Sequence, residues 1–349
     1  MPSLVVIPGD GIGPEVTEQA LRVLRCLAER STFELDTTIL DIGAERYLST
    51  GQLLTEDDVA TLREHDAFIL GALGDPRVAP GLLERDVIVA VRRSLDLAVN
   101  VRPIRLLPGA KSALRTGVAE ACDFVVVREN TEGLYAGGSS IAREGSREAV
   151  AVQTSITTAA ATKAVMEYAF HLAASRHGHV TVCHKTNILV DAGRIWTAVM
   201  GEMSDRFPAI SVDYAHADAM ALYLVTRPES FDVIVTDNLF GDILSDLGAG
   251  LVGGLGTAAS ANLNLDGGPS MFEPVHGSAP DIAGKGVANP AAAILSAAML
   301  LEHLGLPDEA AVCFRAVDSA SADWSSSGQE MNTEGFGDLV LECIAKSSL

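Results

Sequence analysis

Two aspartates, Asp242 and Asp246, stand four residues apart in the segment Asn238-Leu-Phe-Gly-Asp-Ile-Leu-Ser-Asp. On a helix this spacing stacks two carboxylates on one face, which is unfavourable by about 0.2–0.5 kcal/mol unless something positive lies between them. A hard divalent cation, Mg²⁺ or Mn²⁺, reverses that sign. The plain alternative is that both face water near a helix amino terminus, where negative charge is tolerated.

Cationic partners for an anion are equally visible. Arg92, Arg93, Arg102 and Arg105 fall close together in an otherwise acidic chain, and Arg128 follows a predicted strand. Guanidinium groups grip carboxylates in a two-point fork, so converging arginines suit a di- or tricarboxylic acid. Each taken singly is equally an ordinary surface ion pair. Tyr135 and Lys185 add proton chemistry: a lysine near a metal or arginines can accept a proton, and a tyrosine can donate one. A solvated lysine and a half-buried tyrosine are the bland readings.

The segment from His276 through Gly277, Ser278, Ala279, Pro280, Asp281 and Ile282 to Asn289 is a loop of small residues. Small side chains let backbone N–H groups approach a phosphate, and Asp281 could accept from a ribose hydroxyl. A tight surface loop with Asp281 as a cap is the alternative. Two better-known phosphate motifs fail. Gly9-Asp-Gly-Ile-Gly-Pro14 lacks the last glycine of a Rossmann fingerprint, and the Gly284-Lys285-Gly286 triplet lacks both the upstream glycine, which is Ala279, and the hydroxyl after the lysine.

Elements able to hold these groups follow from hydrophobic period. Apolar runs at 4–7, 67–70, 124–127, 180–183 and 233–235 predict strands. Pro14 and Glu15 suit a helix start, with Val16, Ala20, Val23, Leu24 and Leu27 along one face. Helices are also predicted at 158–175, striped by Val165, Tyr168, Ala169 and Leu172, and at 290–304. Strands alternating with helices make an α/β protein. Residues 134–156, rich in Gly, Ser and β-formers without helical period, predict a protruding hairpin. No linker or repeat separates domains, so two domains would interleave.

The chain has 349 residues, 48% hydrophobic and 20% charged, which supports a sizeable core and excludes a disordered chain. A formal charge of −21 argues against nucleic acid or an anionic membrane as partner. Five cysteines without a C-x-x-C pair fit a reducing cytoplasm better than a disulfide or zinc framework. No signal peptide is expected from the amino terminus, and the longest apolar stretch, 291–301, is well short of the roughly 20 residues a membrane span needs.

Read together, the stretches PGDGIGPEV (8–16), RRSLDLAVNVRP (92–103), VVREN and TEGLY (126–135), HKTN (184–187), DAM (218–220), TDNLFGDILSDL (236–247) and FEPVHGSAPDIAGKGVANPAAAILSAAMLLEHLG (272–305) resemble the β-hydroxyacid oxidative decarboxylases. This is the isocitrate/isopropylmalate dehydrogenase family. The resemblance runs nearly the length of the chain in the family's order. It implies a non-Rossmann α/β fold of two interleaved domains: residues 1–100 plus 255–349 binding the cofactor, and 101–254 carrying substrate binding, dimerisation and an arm near 134–156. It further implies a homodimer with shared active sites.

By the same resemblance, Arg92, Arg102 and Arg128 clamp the carboxylates of a malate, and Asp218, Asp242 and Asp246 hold Mg²⁺ or Mn²⁺. Tyr135 and Lys185 form the acid/base pair, with Asp218 and Lys185 supplied by the partner subunit. The loop from His276 to Asn289 binds the adenosine of NAD, Asp281 and Ile282 offering no cation to a 2′-phosphate. The substituent on C3 of the malate is read by the helix before Arg92. There Ile88 and Val89, four and three residues earlier, are expected on Arg92's face. Two apolar side chains suit an alkyl group, with 3-isopropylmalate the leading substrate and homoisocitrate, isocitrate, tartrate or D-malate the alternatives. A regulatory relative without catalysis would lack one of the tyrosine, lysine or aspartate positions, and all are present.

Overall fold

Residues 67–72, Ala-Phe-Ile-Leu-Gly-Ala, carry no polar side chain, and all six are buried. A strand covered on both faces needs such an uninterrupted apolar run. The structure, a computed structural model, describes residues 2–31 and 33–347. Its strands are β1 (Ser3–Gly9), β2 (Asp36–Ile39), β3 (Ala67–Ala72), β4 (Val99–Arg105), β5 (Asp123–Glu129) and β6 (Ser139–Ala142). They continue with β7 (Val150–Gln153), β8 (His179–His184), β9 (Ser211–His216), β10 (Val233–Thr236), β11 (Ala259–Leu263) and β12 (Ser270–Pro274). The α-helices begin with α1 (Gly13–Arg30), α2 (Ala44–Thr50), α3 (Glu56–Arg63), α4 (Ala90–Ser94), α5 (Thr116–Glu120) and α6 (Ala159–Ala174). The remainder are α7 (Val190–Arg206), α8 (Ala217–Thr226), α9 (Asn238–Leu251), α10 (Ala291–His303), α11 (Pro307–Ser327) and α12 (Thr333–Lys346).

Ten strands form one sheet in the order β2-β1-β3-β12-β11-β4-β5-β10-β8-β9. The flanks are parallel, whereas β11 runs antiparallel to β12 and β4, and β4 antiparallel to β5. A wholly parallel nucleotide-binding sheet is thereby excluded. The beginning and the end of the chain share one half, where β12 lies against β3 and α1 packs on α10 and α12. The middle of the chain builds the other half, with α6 on β5, β8 and β10.

Local chemistry explains the main helices. In α1 a proline occupies the first turn, and Val16, Ala20, Val23, Leu24 and Leu27 are fully buried along one stripe. Each of its large apolar side chains contributes about 1.5–3 kcal/mol by leaving water. Thr158 caps α6, its Oγ accepting from the Ala161 N–H at 3.1 Å. The apolar segment 291–301 lies within α10, ten of whose residues are buried. Among the described residues no helix is long and apolar enough to cross a membrane. All five cysteines are free.

Residues 139–153 form a separate two-stranded hairpin from β6 and β7, and every residue of both strands is exposed. Strand alternation then assigns faces at the centre of the main sheet. Val99 and Val101 of β4 join the large core with Val125 and Val127 of β5, so Asn100, Arg102 and Arg128 point to the opposite face. That face is covered by α9, the helix that carries Asp242 and Asp246.

Candidate active site

Arg102 and Arg128 project from neighbouring antiparallel strands onto one helix. Asp242 and Asp246 lie on a single face of α9, and Arg102 reaches both, with Nη2 at 3.5 Å from Asp242 Oδ1 and Nη1 at 3.2 Å from Asp246 Oδ1. Arg128 Nη1 also donates to Asp242 Oδ1. Behind them the guanidiniums are fixed by neutral acceptors. Arg102 donates to Asn100 Oδ1 at 2.8 Å and Ser245 Oγ at 2.7 Å, and Arg128 Nη2 donates to Asn238 Oδ1 at 2.7 Å. Gly241 makes this approach possible, because a Cβ there would lie 2.5 Å from Arg128 Cγ.

Burial dominates the electrostatics of the arginines. It lowers Arg102 below its ordinary value and brings Arg128, which also faces Arg102, down to about 10. For Asp242 burial acts upward, but Arg128 and Arg102 outweigh it and hold the carboxyl below the usual range. Asp246 goes the other way, raised by burial despite Arg102. Tyr135 joins the group with its hydroxyl donating to Asp242 Oδ2 at 2.9 Å and its ring 5.3 Å from the Arg128 guanidinium carbon. Burial raises its pKa, so the phenol keeps its proton.

Arg92 occupies a buried position nearby in the fold, donating to Glu273 Oε1 at 3.0 Å. Glu273 also accepts from Asn262 at 2.9 Å, and Asn262 in turn accepts from Asn100 at 3.1 Å, so a polar chain links Arg92 to Arg102. Sequence reasoning passed over Glu273 and these asparagines. A carboxylate in the strand-like Met-Phe-Glu-Pro was the available signal. Of the remaining arginines, Arg105 pairs with Asp318 at 2.8 Å and Arg93 is exposed.

Lys185 and Asp218 belong to a different place. Lys185 Nζ donates to Asp218 Oδ1 at 2.6 Å, and this hydrogen bond lowers the Asp218 carboxyl. Neither makes a hydrogen bond or ion pair with the arginine cluster, and no group of three metal-type side chains converges among the described residues. One chain thus unites Asp242 with Asp246 and leaves Asp218 apart. The two that meet do fit a hard cation: their side chains are 38% and 50% exposed, and Asp246 Oδ2 has no hydrogen-bond partner among the described residues.

A cavity of about 330 Å³ adjoins Tyr135, lined also by Val89, Leu134, Leu239, Glu84 and Arg85. Ile88 is not part of its wall and packs instead on the core cluster of Val5, Phe68 and Val87. The cause is local: residues Glu84–Val89 form a π-helical turn before α4 starts, so the α spacing expected from the sequence does not hold there.

The loop after β12 rests on the first turn of the chain. Ile12 N–H donates to the Ser278 carbonyl at 2.8 Å, and a Cβ at Gly11 would lie 2.0 Å from that oxygen. Gly9-Asp-Gly-Ile-Gly-Pro14 therefore acts as a platform for the loop, which the motif comparison alone did not reveal. Asp10, buried, accepts from Ala44 N–H at 2.8 Å and Gly74 N–H at 3.0 Å, tying further loops to it. Ala279 holds φ +40°, a strained value for a residue with a Cβ. His276, lowered by burial, keeps a buried Nε2 without a partner among the described residues, while Gly277, Pro280 and Asp281 are exposed. Ile282 and Asn289 are half-buried, and Asn289 Oδ1 accepts from the Ala291 N–H at 3.0 Å. Small residues, an orphan ring nitrogen and an open carboxylate suit a nucleotide.

Comparison with known proteins gives the family. The family described as isocitrate/isopropylmalate dehydrogenase matches residues 3–340. The chain belongs to that family. A 3-isopropylmalate dehydrogenase of Rhodococcus opacus (strain B4) is 52% identical over 343 residues, covering 98% of this chain and 99% of the relative. Another, from Corynebacterium efficiens, is 54% identical over 345 residues with the same coverage. Among solved structures, the isocitrate dehydrogenase of Methylococcus capsulatus superposes with a TM-score of 0.90 at 34% identity, covering 99% of this chain and 100% of that one. The fold is accordingly the family's non-Rossmann α/β fold, and the enzyme is an oxidatively decarboxylating dehydrogenase.

Proposed function

We propose that this enzyme oxidatively decarboxylates (2R,3S)-3-isopropylmalate to 4-methyl-2-oxopentanoate in leucine biosynthesis, using NAD and Mg²⁺ or Mn²⁺. The observation that carries the proposal is one cluster of buried guanidiniums, paired carboxylates and a protonated tyrosine, set beside a cavity with an apolar wall. Relatives called 3-isopropylmalate dehydrogenase, about half identical over nearly the whole chain, support the same substrate.

In this reading Arg92, Arg102 and Arg128 bind the two carboxylates of the malate core, which a neutral side chain would hold far less well. Asp242 and Asp246, with Asp218 of a second copy, hold the cation, and the loop from His276 to Asn289 holds the dinucleotide. When bound, NAD⁺ would supply the hydride acceptor for C2, and the divalent ion would supply the electron sink that decarboxylation needs. Lys185, also from the second copy, accepts the proton of the C2 hydroxyl. Tyr135 donates a proton to C3 after CO₂ leaves, and its raised pKa keeps that proton in place until needed. Val89 and Leu134 receive the isopropyl group.

Lys185 and Asp218 can serve this cluster only from another subunit, and the proposal includes a homodimer. Leu222 and Val225 of α8 and Ile243 of the adjoining α9 are 58%, 49% and 57% exposed, an apolar face for such a contact. Ile188, three residues beyond Lys185 and 69% exposed, would enter the partner's site with it. Residues 1–100 with 255–349 and residues 101–254 are proposed as the two domains, and a reducing cytoplasm as the setting, in keeping with five free thiols.

A second reading has one observation in its favour. Arg85 stands in the cavity wall, and a guanidinium there suits the extra carboxylate of isocitrate or homoisocitrate. Steady-state assay with NAD⁺ and Mn²⁺ decides, using 3-isopropylmalate, 3-methylmalate, D-malate, tartrate, isocitrate and homoisocitrate. Highest kcat/KM for 3-isopropylmalate is expected, and preference for a tricarboxylate would overturn the alkyl assignment.

A further inference from the structure

The cavity beside Tyr135 has two characters. Val89, Leu134 and Leu239 make an apolar interior, while Glu84 and Arg85 bring charge to it from the π-helical turn. A π turn closes its hydrogen bond one residue later than an α turn, so Glu84 and Arg85, five and four residues before Val89, flank it together. A guanidinium in this position ought to favour a substituent that ends in a carboxylate, which conflicts with an alkyl pocket.

The neighbouring residue removes the conflict. Arg85 donates from Nε to Asp86 Oδ1 at 2.6 Å and from Nη2 to Asp86 Oδ2 at 2.8 Å, filling both prongs of its fork. Arg85 makes no other side-chain hydrogen bond or ion pair among the described residues. The Arg85 side chain is 71% exposed, and exposed pairs of this kind hold weakly, so Asp86 masks the guanidinium without immobilising it.

We propose that Asp86 selects the C3 substituent by occupying both prongs of the Arg85 guanidinium at the cavity. This rests on the reading that the cavity receives that substituent. A substrate with a third carboxylate must displace Asp86 from Arg85 before it can use the guanidinium. An alkyl substituent meets no such obstacle and needs only the apolar surface of Val89 and Leu134. Asp86 thus withholds from a carboxylate the cation it would otherwise find, and the apolar wall supplies the attraction for an alkyl group.

The test compares wild type, Asp86→Ala, Asp86→Asn, Arg85→Ala and the double variant Arg85→Ala/Asp86→Ala in the intact enzyme with Mn²⁺ and NAD⁺. The quantity read is the ratio of kcat/KM for homoisocitrate to that for 3-isopropylmalate. Asp86→Ala and Asp86→Asn should both raise this ratio by about three- to fivefold, and the double variant should lose most of the gain, since Arg85 must be present to use it. A ratio within about twofold of wild type in both Asp86 variants, or a gain that survives in the double variant, overturns the proposal. Calorimetric Kd values for homoisocitrate with Mn²⁺ follow the same pattern independently of turnover. Absence of turnover with every 3-substituted malate in the wild type would instead refute the functional reading, which keeps the two failures apart.

Discussion

Gly11→Ala isolates the contact between the first turn of the chain and the proposed cofactor loop. Gly11 has φ +59°, and a Cβ built there meets the Ser278 carbonyl oxygen at 2.0 Å, its carbon at 2.7 Å and Ser278 Cβ at 2.8 Å. Carbon contacts settle near 3.5–4.0 Å, so the loop must retreat by about 1 Å or more. The left-handed backbone adds about 1–2 kcal/mol of strain for any residue with a Cβ. A loss of about 1–3 kcal/mol over a chain of this size lowers Tm by only a few degrees. The functional effect should be larger, because a displacement of about 1 Å at a binding surface can cost 10²-fold. The KM for NAD⁺ is expected to rise about 10–100-fold, while the KM for 3-isopropylmalate at saturating NAD⁺ changes by less than about threefold, since Arg102 and Arg128 rest on other elements. Initial-rate kinetics with both substrates varied, alongside a thermal melt, make the comparison. A variant that melts a few degrees early yet retains the wild-type KM for NAD⁺ would show that this loop does not carry the dinucleotide.

Three further outcomes are expected. Lys185→Ala should cut kcat by about 10²–10⁴ with the fold retained, because general-base catalysis contributes on that scale; unchanged steady-state constants would remove Lys185 from the mechanism. Asp281→Lys, at an exposed position, should shift the ratio of kcat/KM for NAD⁺ to NADP⁺ toward NADP⁺ by replacing repulsion of a 2′-phosphate with attraction, and an unmoved ratio argues against a ribose contact. The third outcome concerns His184, 1% exposed and stacked on Trp196 with ring centroids 5.3 Å apart. Burial lowers its pKa from 6.5 to about 4, so it contributes stability that is present above pH 6.5 and lost as pH falls through 4. That loss is at most about 3 kcal/mol. Asp237, 3.7 Å away and raised by burial to about 6, has the opposite sign, contributing stability below its ordinary value that is lost as pH rises through 6. His184→Gln keeps the Asp237 term and deletes the histidine term, so its urea stability should fall less than that of wild type between pH 6.5 and 4. Parallel pH curves for the two proteins contradict the assignment.

Much of the scaffold was legible before the fold was known. The strands at 67–70, 124–127, 180–183 and 233–235 and the helices at 158–175 and 290–304 lie within or over β3, β5, β8, β10, α6 and α10. Short apolar runs between turn residues and a 3.6-residue stripe are local signals, written in neighbouring side chains. The same locality allowed Asp242 and Asp246 to be read as one helical face. It failed at residues 84–89, where the sequence carries no mark of a π turn, and Ile88 packs on the core while Val89 lines the cavity.

What the residues fixed unaided was a set of chemical capacities: guanidiniums for carboxylates, paired aspartates for a cation, a small-residue loop for a nucleotide. Which of them meet was decided by tertiary structure. Arg92 finds Glu273 across 181 positions and Arg102 finds Asp246 across 144, because β4 is inserted antiparallel between β11 and β5 under α9. Lys185 and Asp218 pair with each other instead. Periodicity states which side chains share a face, but the partner of that face is set by strand order and register, which arise from burial summed over the whole chain rather than from any segment of it.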